Sequence, residues 1–250
     1  MVRRSCRLPL FDPMCGRFVS PDEAAIERAW HVGRESNAPF ARRYNVAPTA
    51  VIPVLHLDSR AGRLALVAAR WGLIPHWWKE SKPPGFSFNA RIEEAASKPM
   101  WRDACRGARC LVPAEGWYEW KERAHDAGGR RLKQQYFIRP RDRRPFCFAG
   151  VMARWVDRAS GESVTSCAVL TTAAAGPLAR LHERMPVILP DEAQGAWVDT
   201  AMEAGNAVTL ARTAATSAVE RLEHYAVDLR VNDARVDEPR LTEPVSAGTR

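Results

Sequence analysis

The sequence lacks several features that are typical of membrane, secreted or metal-bound proteins. It contains no run approaching the roughly 20 apolar residues that a membrane-spanning helix needs. It has no Cys-x-x-Cys and no His-x-x-x-His pattern, so we expect neither a metal site nor another cofactor. Residues 1–13 carry three arginines but no long apolar stretch, unlike a secretory signal peptide. We therefore expect a cytoplasmic protein with reduced thiols.

Acidic residues are fewer than basic ones. The 250 residues include 29 Asp and Glu against 37 Lys and Arg, which gives a formal net charge of +8. This balance is compatible with a polyanionic partner, but it is equally typical of a generic basic surface. With 46% hydrophobic residues, a chain of this length can bury a sizeable core without disulfide bonds.

Short segments rich in Val, Ile and aromatic residues, separated by turn residues, predict strands. They are Val51–Leu55, Leu64–Ala68, Arg109–Pro113, Trp117–Lys121, Tyr136–Ile138, Phe146–Met152, Cys167–Thr171 and Val187–Leu189. The predicted helices are Ile92–Ala96, Pro177–His182, Asp191–Val198 and Ala207–Leu222. The polar tail after Asp228 is predicted to be irregular. Since no linker or repeat divides the chain, we predict one β-rich α+β domain.

Two local patterns predict a helix start and a hairpin. Ser20 precedes Pro21, and Glu23 follows three residues after Ser20, which predicts a helix capped by Ser20. Gly128-Gly129 lies between two predicted strands and predicts a hairpin loop.

The segment Met14–Phe18 is the first of four with candidate chemistry. If Met14 is removed, Cys15 becomes N-terminal and carries a free α-amine beside its thiol. The amine of such a 1,2-aminothiol condenses with an aldehyde to an imine, and the thiol then closes a thiazolidine ring. Reference pKa values of about 7.7–8.0 for the amine and about 8.5 for the thiol leave usable fractions of both nucleophiles near neutral pH. By itself, a cysteine near a terminus is more often a small buried residue.

The second and third segments contain an amide and several aromatic rings. In Arg43–Thr49, Asn45 lies in a segment that leads to a proline, although an ordinary turn explains this pattern as well. Three tryptophans, Trp71, Trp77 and Trp78, lie within one stretch of eight residues, and this stretch belongs to a basic segment rich in Pro and Gly. Aromatic side chains stack on unpaired bases at roughly 1–3 kcal/mol per base. Core packing is the alternative for Trp71, but it is less natural for two adjacent tryptophans on a strand.

The fourth candidate combines Ala114–Trp120 with Leu181–Pro186. In an extended segment Glu115 and Glu119 share a face, and an aromatic setting raises the pKa of a carboxyl group so that it can move protons. His182 is a candidate second acid or base. The alternatives are surface glutamates and a structural histidine.

Together these motifs resemble the SOS-response-associated peptidase (SRAP) family, also called abasic-site processing proteins. They are Met14–Phe18, Arg43–Pro48, Trp71–Pro75, Asn89–Arg91, Glu115–Trp120 and His182–Pro186. The resemblance runs from Met14 to about Leu189 and continues weakly to around Val245. It implies a single domain at residues 14–245, with a mixed, barrel-like sheet and peripheral helices. Residues 1–13 are then a leader or a misassigned start, and residues 246–250 are an irregular tail.

The resemblance also implies a function in the response to DNA damage. Such a protein binds single-stranded DNA with an abasic site and forms a covalent thiazolidine crosslink to the aldehyde of the opened sugar. Its N-terminal cysteine is freed by autocatalytic removal of the preceding methionine, a self-processing peptidase step, and its imine chemistry is of the lyase type. We expect a monomer, associated with the nucleoid when bound to DNA, with replication-fork or repair proteins as further partners.

Four catalytic roles are implied by the resemblance. Cys15 is the nucleophile, and Asn89 positions the aminothiol and the sugar. Glu119 shuttles protons at the amine and during ring closure, and His182 assists opening of the sugar.

Seven further residues are implied to contact DNA. Arg17 and Arg91 match positions that hold phosphates flanking the lesion, and Asn45 and Thr171 match pocket residues that fix the substrate oxygen. Trp77 and Trp78 match the aromatic wedge that stacks on or splays neighbouring bases. Pro48 is expected to serve the same wedge beside the two rings.

One departure from the family pattern leaves alternatives open. Fourteen residues precede Cys15 in the sequence, and an internal cysteine has no free amine. The start is misassigned, or self-processing cuts a longer leader, or the protein lacks crosslinking activity. A non-covalent single-strand-binding module with a blocked aminothiol is therefore an alternative. A peptidase acting on other proteins through Cys15, His182 and Glu119 is another.

Overall fold

Thirteen strands and five α-helices lie within the residues that the computed structural model describes, which are 15–33, 39–125, 129 and 131–245. The strands are β1 (Phe18–Ser20), β2 (Arg43–Val46), β3 (Val51–Asp58), β4 (Arg63–Trp71), β5 (Asn89–Arg91), β6 (Arg109–Ala114), β7 (Gly116–His125), β8 (Arg131–Pro140), β9 (Phe146–Val156), β10 (Ser163–Ala173), β11 (Arg184–Pro186), β12 (Ile188–Leu189) and β13 (Leu222–Ala226). The helices are α1 (Glu23–Trp30), α2 (Ile92–Ala95), α3 (Arg102–Gly107), α4 (Asp191–Val198) and α5 (Ala204–Ala218). Predictions for residues 1–14, Gly128 and the tail at 246–250 fall outside the described residues.

Five of the strands close into a barrel because each pairs with two neighbours around a ring. β3 pairs antiparallel with β4 and β6, and β9 pairs antiparallel with β6 and β10. β10 then closes the ring by pairing in parallel with β4. β5 and β11 add to β10, and β12 adds to β9. The predicted α+β class with a mixed, barrel-like sheet is confirmed.

The barrel strand β6 is buried along its whole length because helices cover its outer face. Trp197 of α4 is fully buried, and its indole nitrogen donates to the Cys110 carbonyl of β6 at 2.9 Å. Arg109, at the start of β6, is also buried. Its guanidinium donates to four backbone carbonyls around α3, α4 and α5, those of Cys105, Trp197, Asp199 and Met202.

A second, antiparallel sheet has the order β13-β8-β7-β1-β2. Its β1–β7 pairing aligns Phe18 with Trp117 and Val19 with Gly116. The segment after Asp228, predicted to be irregular, forms short 3-10 turns at Leu229–Asn232 and Pro239–Thr242. Its side chains Val231 and Leu241 are fully buried against this sheet, together with Val19, Tyr118 and Phe137.

The eight predicted strands are confirmed, with longer bounds for most of them, and three local predictions are wrong. The first helix is capped by Asp22, which accepts from the backbone N–H of Ala25 at 2.8 Å, because Ser20 pairs with Arg43 between β1 and β2. The predicted helix up to Leu222 ends at α5, since Leu222 opens β13.

The third local error concerns the segment predicted as a helix at Pro177–His182, which is a 3-10 turn at Gly176–Arg180. The predicted β7–β8 hairpin is confirmed. The two strands pair antiparallel from Trp117, which is opposite Ile138, to His125, which is opposite Arg131.

No helix in the described part of the chain has the length and apolar character to cross a membrane.

Replacing Arg109 by Met is expected to lower the free energy of unfolding by about 2–4 kcal/mol, because buried carbonyls lose their donors. Urea denaturation measures this loss. Arg106→Met is the matched control, because Arg106 is exposed in the same helical region. Equal losses in both variants would contradict a structural role for the buried guanidinium.

Candidate functional site

The candidate site centres on a contact between Cys15 and Glu119. The Cys15 thiol donates to Glu119 Oε1 at 2.7 Å, although the two residues are 104 positions apart. Both side chains are buried. Cys15 directly precedes the segment that leads into β1, and Glu119 lies in β7, so the β1–β7 pairing brings them together.

The backbone of Cys15 is held in an uncommon conformation. Its φ is 48°, in the left-handed region that few non-glycine residues adopt. The Asn89 side-chain amide donates to the Cys15 carbonyl at 3.4 Å. The Arg184 carbonyl lies 4.0 Å from the thiol sulfur. The side chain predicted to position the cysteine therefore contacts it.

The surroundings of Cys15 favour the neutral thiol. Burial raises the pKa of this thiol well above its usual range, and the charge and hydrogen bond of Glu119 raise it further. The positive charge of Arg184 opposes them. The sulfur therefore keeps its proton in this state, and Glu119 is placed to accept that proton when the sulfur reacts.

His182 lies near Glu119 in the same narrow crevice, which Leu178 and Leu181 also line. The backbone N–H of Arg184 donates to His182 Nδ1 at 3.0 Å. The Arg184 carbonyl lies 3.2 Å from the same Nδ1, so Nδ1 accepts from the N–H in one tautomer of the neutral ring and donates to the carbonyl in the other. Two groups able to transfer protons thus face one crevice.

Arg184 is a site residue to which sequence reasoning assigned no role. Its guanidinium donates to both carboxylate oxygens of Glu93, each at 2.9 Å, and to the Thr171 carbonyl at 2.6 Å. The hydrogen bonds from Arg184 lower the pKa of Glu93. Together with the bond to Thr171 they connect α2, β10 and β11. Arg184 lies within the His182–Pro186 motif, so the motif could have indicated it. From that motif, however, only His182 is predicted to take part in the chemistry.

Thr171, which the resemblance implies to be a pocket residue, lies beside this cluster. It is buried, and its hydroxyl lies 3.5 Å from the Ala90 carbonyl and 3.3 Å from the Arg184 guanidinium. The structure thus brings five predicted residues into one region: Cys15, Asn89, Glu119, Thr171 and His182.

Arg17 and Asn45 instead bind the C-terminal segment. Arg17 donates to Asn45 Oδ1 at 2.9 Å and to the Val231 carbonyl at 3.0 Å. The buried Asn45 amide nitrogen donates to the carbonyls of Val231, Asp233 and Val236. These bonds give both side chains a structural role, and their predicted contacts with DNA remain predictions.

Glu115 does not share an extended segment with Glu119. The chain bends at Glu115, between β6 of the barrel and β7 of the second sheet. Its carboxylate accepts from the Arg42 guanidinium, at 2.9 Å from Nε. The prediction that these two glutamates share one face of an extended strand is wrong because the strand is interrupted.

The tryptophan-rich segment divides into core and surface. Trp71 is buried against Phe18, with ring centroids 5.2 Å apart, so core packing accounts for it. Trp78 is half-buried, and its carbonyl accepts from the Trp155 indole at 2.8 Å. Trp77 is 40% exposed. Its ring therefore offers an accessible aromatic face.

The two remaining predicted DNA contacts lie at strand ends. Pro48 is half-buried between β2 and β3, and Arg91 is exposed at the end of β5. Among the residues that the structure describes, no group of three His, Cys, Asp or Glu is arranged to hold a metal ion.

Comparison with known proteins identifies a family. The model of the SOS response associated peptidase (SRAP) family matches residues 14–234, which confirms the resemblance. "Abasic site processing protein YoqW" of Bacillus subtilis is 33% identical over 188 residues, covering 74% of this chain and 80% of the relative. "Abasic site processing protein YedK" of Escherichia coli is 30% identical over 237 residues, covering 93% and 100%. A crystal structure of a protein from Bacteroides thetaiotaomicron has the same fold, with a TM-score of 0.74 and 22% identity, covering 93% of this chain and all of that one.

Replacing Glu119 by Gln is expected to lower the pKa of Cys15 toward its usual range, because the negative charge that disfavours the thiolate is removed. Alkylation of Cys15 should then begin at lower pH than in the unmodified protein. Peptide mass spectrometry after iodoacetamide treatment across a pH series measures this.

Glu115→Gln is the matched control for this experiment, since Glu115 pairs with Arg42. It should leave the alkylation profile of Cys15 unchanged. An equal shift in both variants would mean that the effect of Glu119→Gln is not local.

Proposed function

Because the chain belongs to the SOS response associated peptidase family, we propose that it acts in the DNA damage response on DNA that contains abasic sites. The similar proteins from B. subtilis and E. coli are named abasic site processing proteins, which supports this substrate. The positive net charge of +8 favours association with a phosphate backbone.

The product of the reaction is a covalent crosslink at Cys15. The α-amine attacks the aldehyde carbon of the opened sugar, and loss of one water leaves an imine. The thiol sulfur then adds to the imine carbon, and its proton ends on the ring nitrogen, so closure loses no atoms. An imine permits strand cleavage by β-elimination, whereas the closed ring lacks the iminium that acidifies the sugar.

The contact between the Cys15 thiol and Glu119 is the observation that carries this proposal. Sulfur must lose its proton at ring closure, and Glu119 Oε1 lies 2.7 Å from it. The same carboxylate then returns the proton to nitrogen. Asn89 orients Cys15 through its carbonyl. His182 delivers a proton to the sugar oxygen during ring opening.

The mechanism requires an exposed amine. Residues 1–14 precede Cys15 in the sequence, so the reactive form is one from which they have been removed. We propose that the Cys15 sulfur, with Glu119 as the base that takes its proton, attacks the Met14 carbonyl carbon once on its own chain. The Met14–Cys15 peptide bond then breaks, and Glu119 passes the proton to the leaving amine. Water hydrolyses the resulting thioester, which releases the leader as a carboxylic acid and leaves Cys15 with a free amine and a free thiol. This step is the peptidase activity of the protein.

A single strand is the proposed form of the DNA. Unpaired bases expose their faces, and the exposed ring of Trp77 stacks on such a base beside the lesion. Trp78 and Pro48 complete the wedge, and the exposed Arg91 holds a flanking phosphate.

A second candidate is non-covalent binding of single strands, which the fourteen residues before Cys15 favour. With these residues in place the amine is absent, while the exposed aromatic and basic side chains remain. This form binds abasic and intact strands with similar affinity, and its affinity falls with salt.

The form that begins at Cys15 is expected to give a stable adduct with a single-stranded oligonucleotide carrying one abasic site. Cys15→Ser should give only an imine that borohydride traps, since a hydroxyl is a much weaker nucleophile for ring closure. Denaturing electrophoresis and intact mass spectrometry measure the adduct with and without borohydride.

An oligonucleotide with the tetrahydrofuran analogue, which has no aldehyde, is the matched control and should give no adduct with either protein. A stable adduct of Cys15→Ser equal to that of the unmodified protein would overturn the crosslinking mechanism. Equal binding of all strands without any adduct would favour the non-covalent candidate.

A further inference from the structure

A second cavity adjoins the crevice that contains Glu119 and His182. Its volume is about 310 Å³, and Leu178 lines both spaces. Pro177, Val219 and Leu222 form apolar parts of its wall, while Arg141 and His224 contribute basic groups. Ligand pockets typically begin at about 300 Å³, with mostly apolar walls and a few polar groups. The cavity therefore has the size and character of a site for one nucleotide.

The strand register leads from the candidate active site to this cavity. Glu119 of β7 is directly opposite Tyr136 of β8, so their side chains share one face of the sheet. The ring of Tyr136 is half-buried and lies 6.0 Å from the His224 ring of β13. A chain that crosses this face from the crevice thus passes an aromatic side chain before it reaches the basic groups.

The basic groups make this region electropositive. Partial burial, followed by the positive charges of Lys121 and Arg141, lowers the pKa of His224. The positive charge near neutral pH therefore comes from Lys121 and Arg141, while the neutral His224 ring can donate a hydrogen bond. Glu223 also lines the cavity, but its carboxylate accepts from Arg139 at 2.8 Å, so its charge is largely balanced. The positive charge that remains favours an anion.

The turn between β8 and β9 extends the basic region. The four residues Arg141–Arg144 include three arginines, Arg141, Arg143 and Arg144, and one acidic residue, Asp142. Arg141 is exposed, and its backbone N–H donates to the Arg221 carbonyl at 2.9 Å, which anchors the turn beside β13. Basic side chains on an anchored turn are suited to phosphates because the backbone loses little freedom on binding.

We propose that this cavity binds a nucleotide that flanks the abasic site, with its phosphate at Arg141, Lys121 and His224 and its sugar against the apolar wall. The DNA strand then leaves the crevice over Tyr136 and continues toward the β8–β9 turn. The cavity holds the strand on only one side of the lesion, either the 5′ side or the 3′ side. The bound strand therefore has one fixed 5′-to-3′ polarity on the protein. This inference rests on the proposed function.

The test uses the Arg141→Gln variant of the form that begins at Cys15. Binding is measured by fluorescence anisotropy at several salt concentrations, with oligonucleotides that carry the tetrahydrofuran analogue and extend only to its 5′ side or only to its 3′ side. The analogue has no aldehyde, so binding stays reversible and an affinity can be determined. For one of the two oligonucleotides the slope of log affinity against log salt should fall by about 0.7, the value for one phosphate contact on a single strand. The other oligonucleotide should bind as it does to the unmodified protein.

Arg60→Gln is the matched control, because Arg60 is exposed in the turn between β3 and β4. It makes the same change of charge and should leave both slopes unchanged. Thermal melting of both variants shows whether each is folded. If Arg141→Gln does not fold, Lys121→Gln repeats the test, because it removes one positive charge from the same proposed phosphate site.

Three results would overturn the inference. Unchanged slopes for Arg141→Gln, or equal losses on both oligonucleotides, would exclude a directional phosphate site. An equal loss for Arg60→Gln would show that net charge alone is responsible. If the unmodified protein still forms adducts with aldehyde-bearing abasic oligonucleotides, only this surface is excluded. Absence of both binding and such adducts overturns the proposed function as well.

Discussion

The pairing of β1 with β7 is the constraint on which the candidate site depends. It places the segment that begins at Cys15 beside the strand that carries Glu119, and the 2.7 Å contact between their side chains follows from it. The strand β7 also packs closely against β8, and this packing requires a glycine at Gly116. A Cβ atom there would lie 2.3 Å from the Phe137 ring and 2.6 Å from the Ile138 carbonyl. Any larger residue would push β8 away from β7 and so disturb the strand that holds the carboxylate.

The site lies where the two sheets meet, and each sheet contributes different side chains to it. The second sheet supplies Cys15 and Glu119, while the barrel strand β10 and its partners β5 and β11 supply Asn89, Thr171 and Arg184. Arg184 connects these elements through hydrogen bonds. A closed barrel has no free edge on the ring itself, so it is a rigid support for such an arrangement.

Burial gives the cysteine two properties that the proposed reaction uses. It keeps the Cys15 thiol neutral and therefore protected from indiscriminate reaction, because a thiol is much less nucleophilic than a thiolate. It also excludes water from the contact with Glu119, so the acceptor for the thiol proton is fixed in place. In the proposed function the same environment serves two steps, a single cleavage of the bond before Cys15 and the later closure of the thiazolidine ring.

Local pattern in the sequence was sufficient for most of the β-rich fold, for the family and for the segments that supply the site, because alternating apolar residues and short motifs are local. Glu119 and His182 were recognisable from their motifs. Three features needed the tertiary structure: the break at Glu115, the structural bonds of Asn45 to the C-terminal segment, and the fork from Arg184 to Glu93. Each depends on partners distant in the chain, and hydrogen bonding and burial between such partners are set by strand pairing, which spacing along the sequence does not encode.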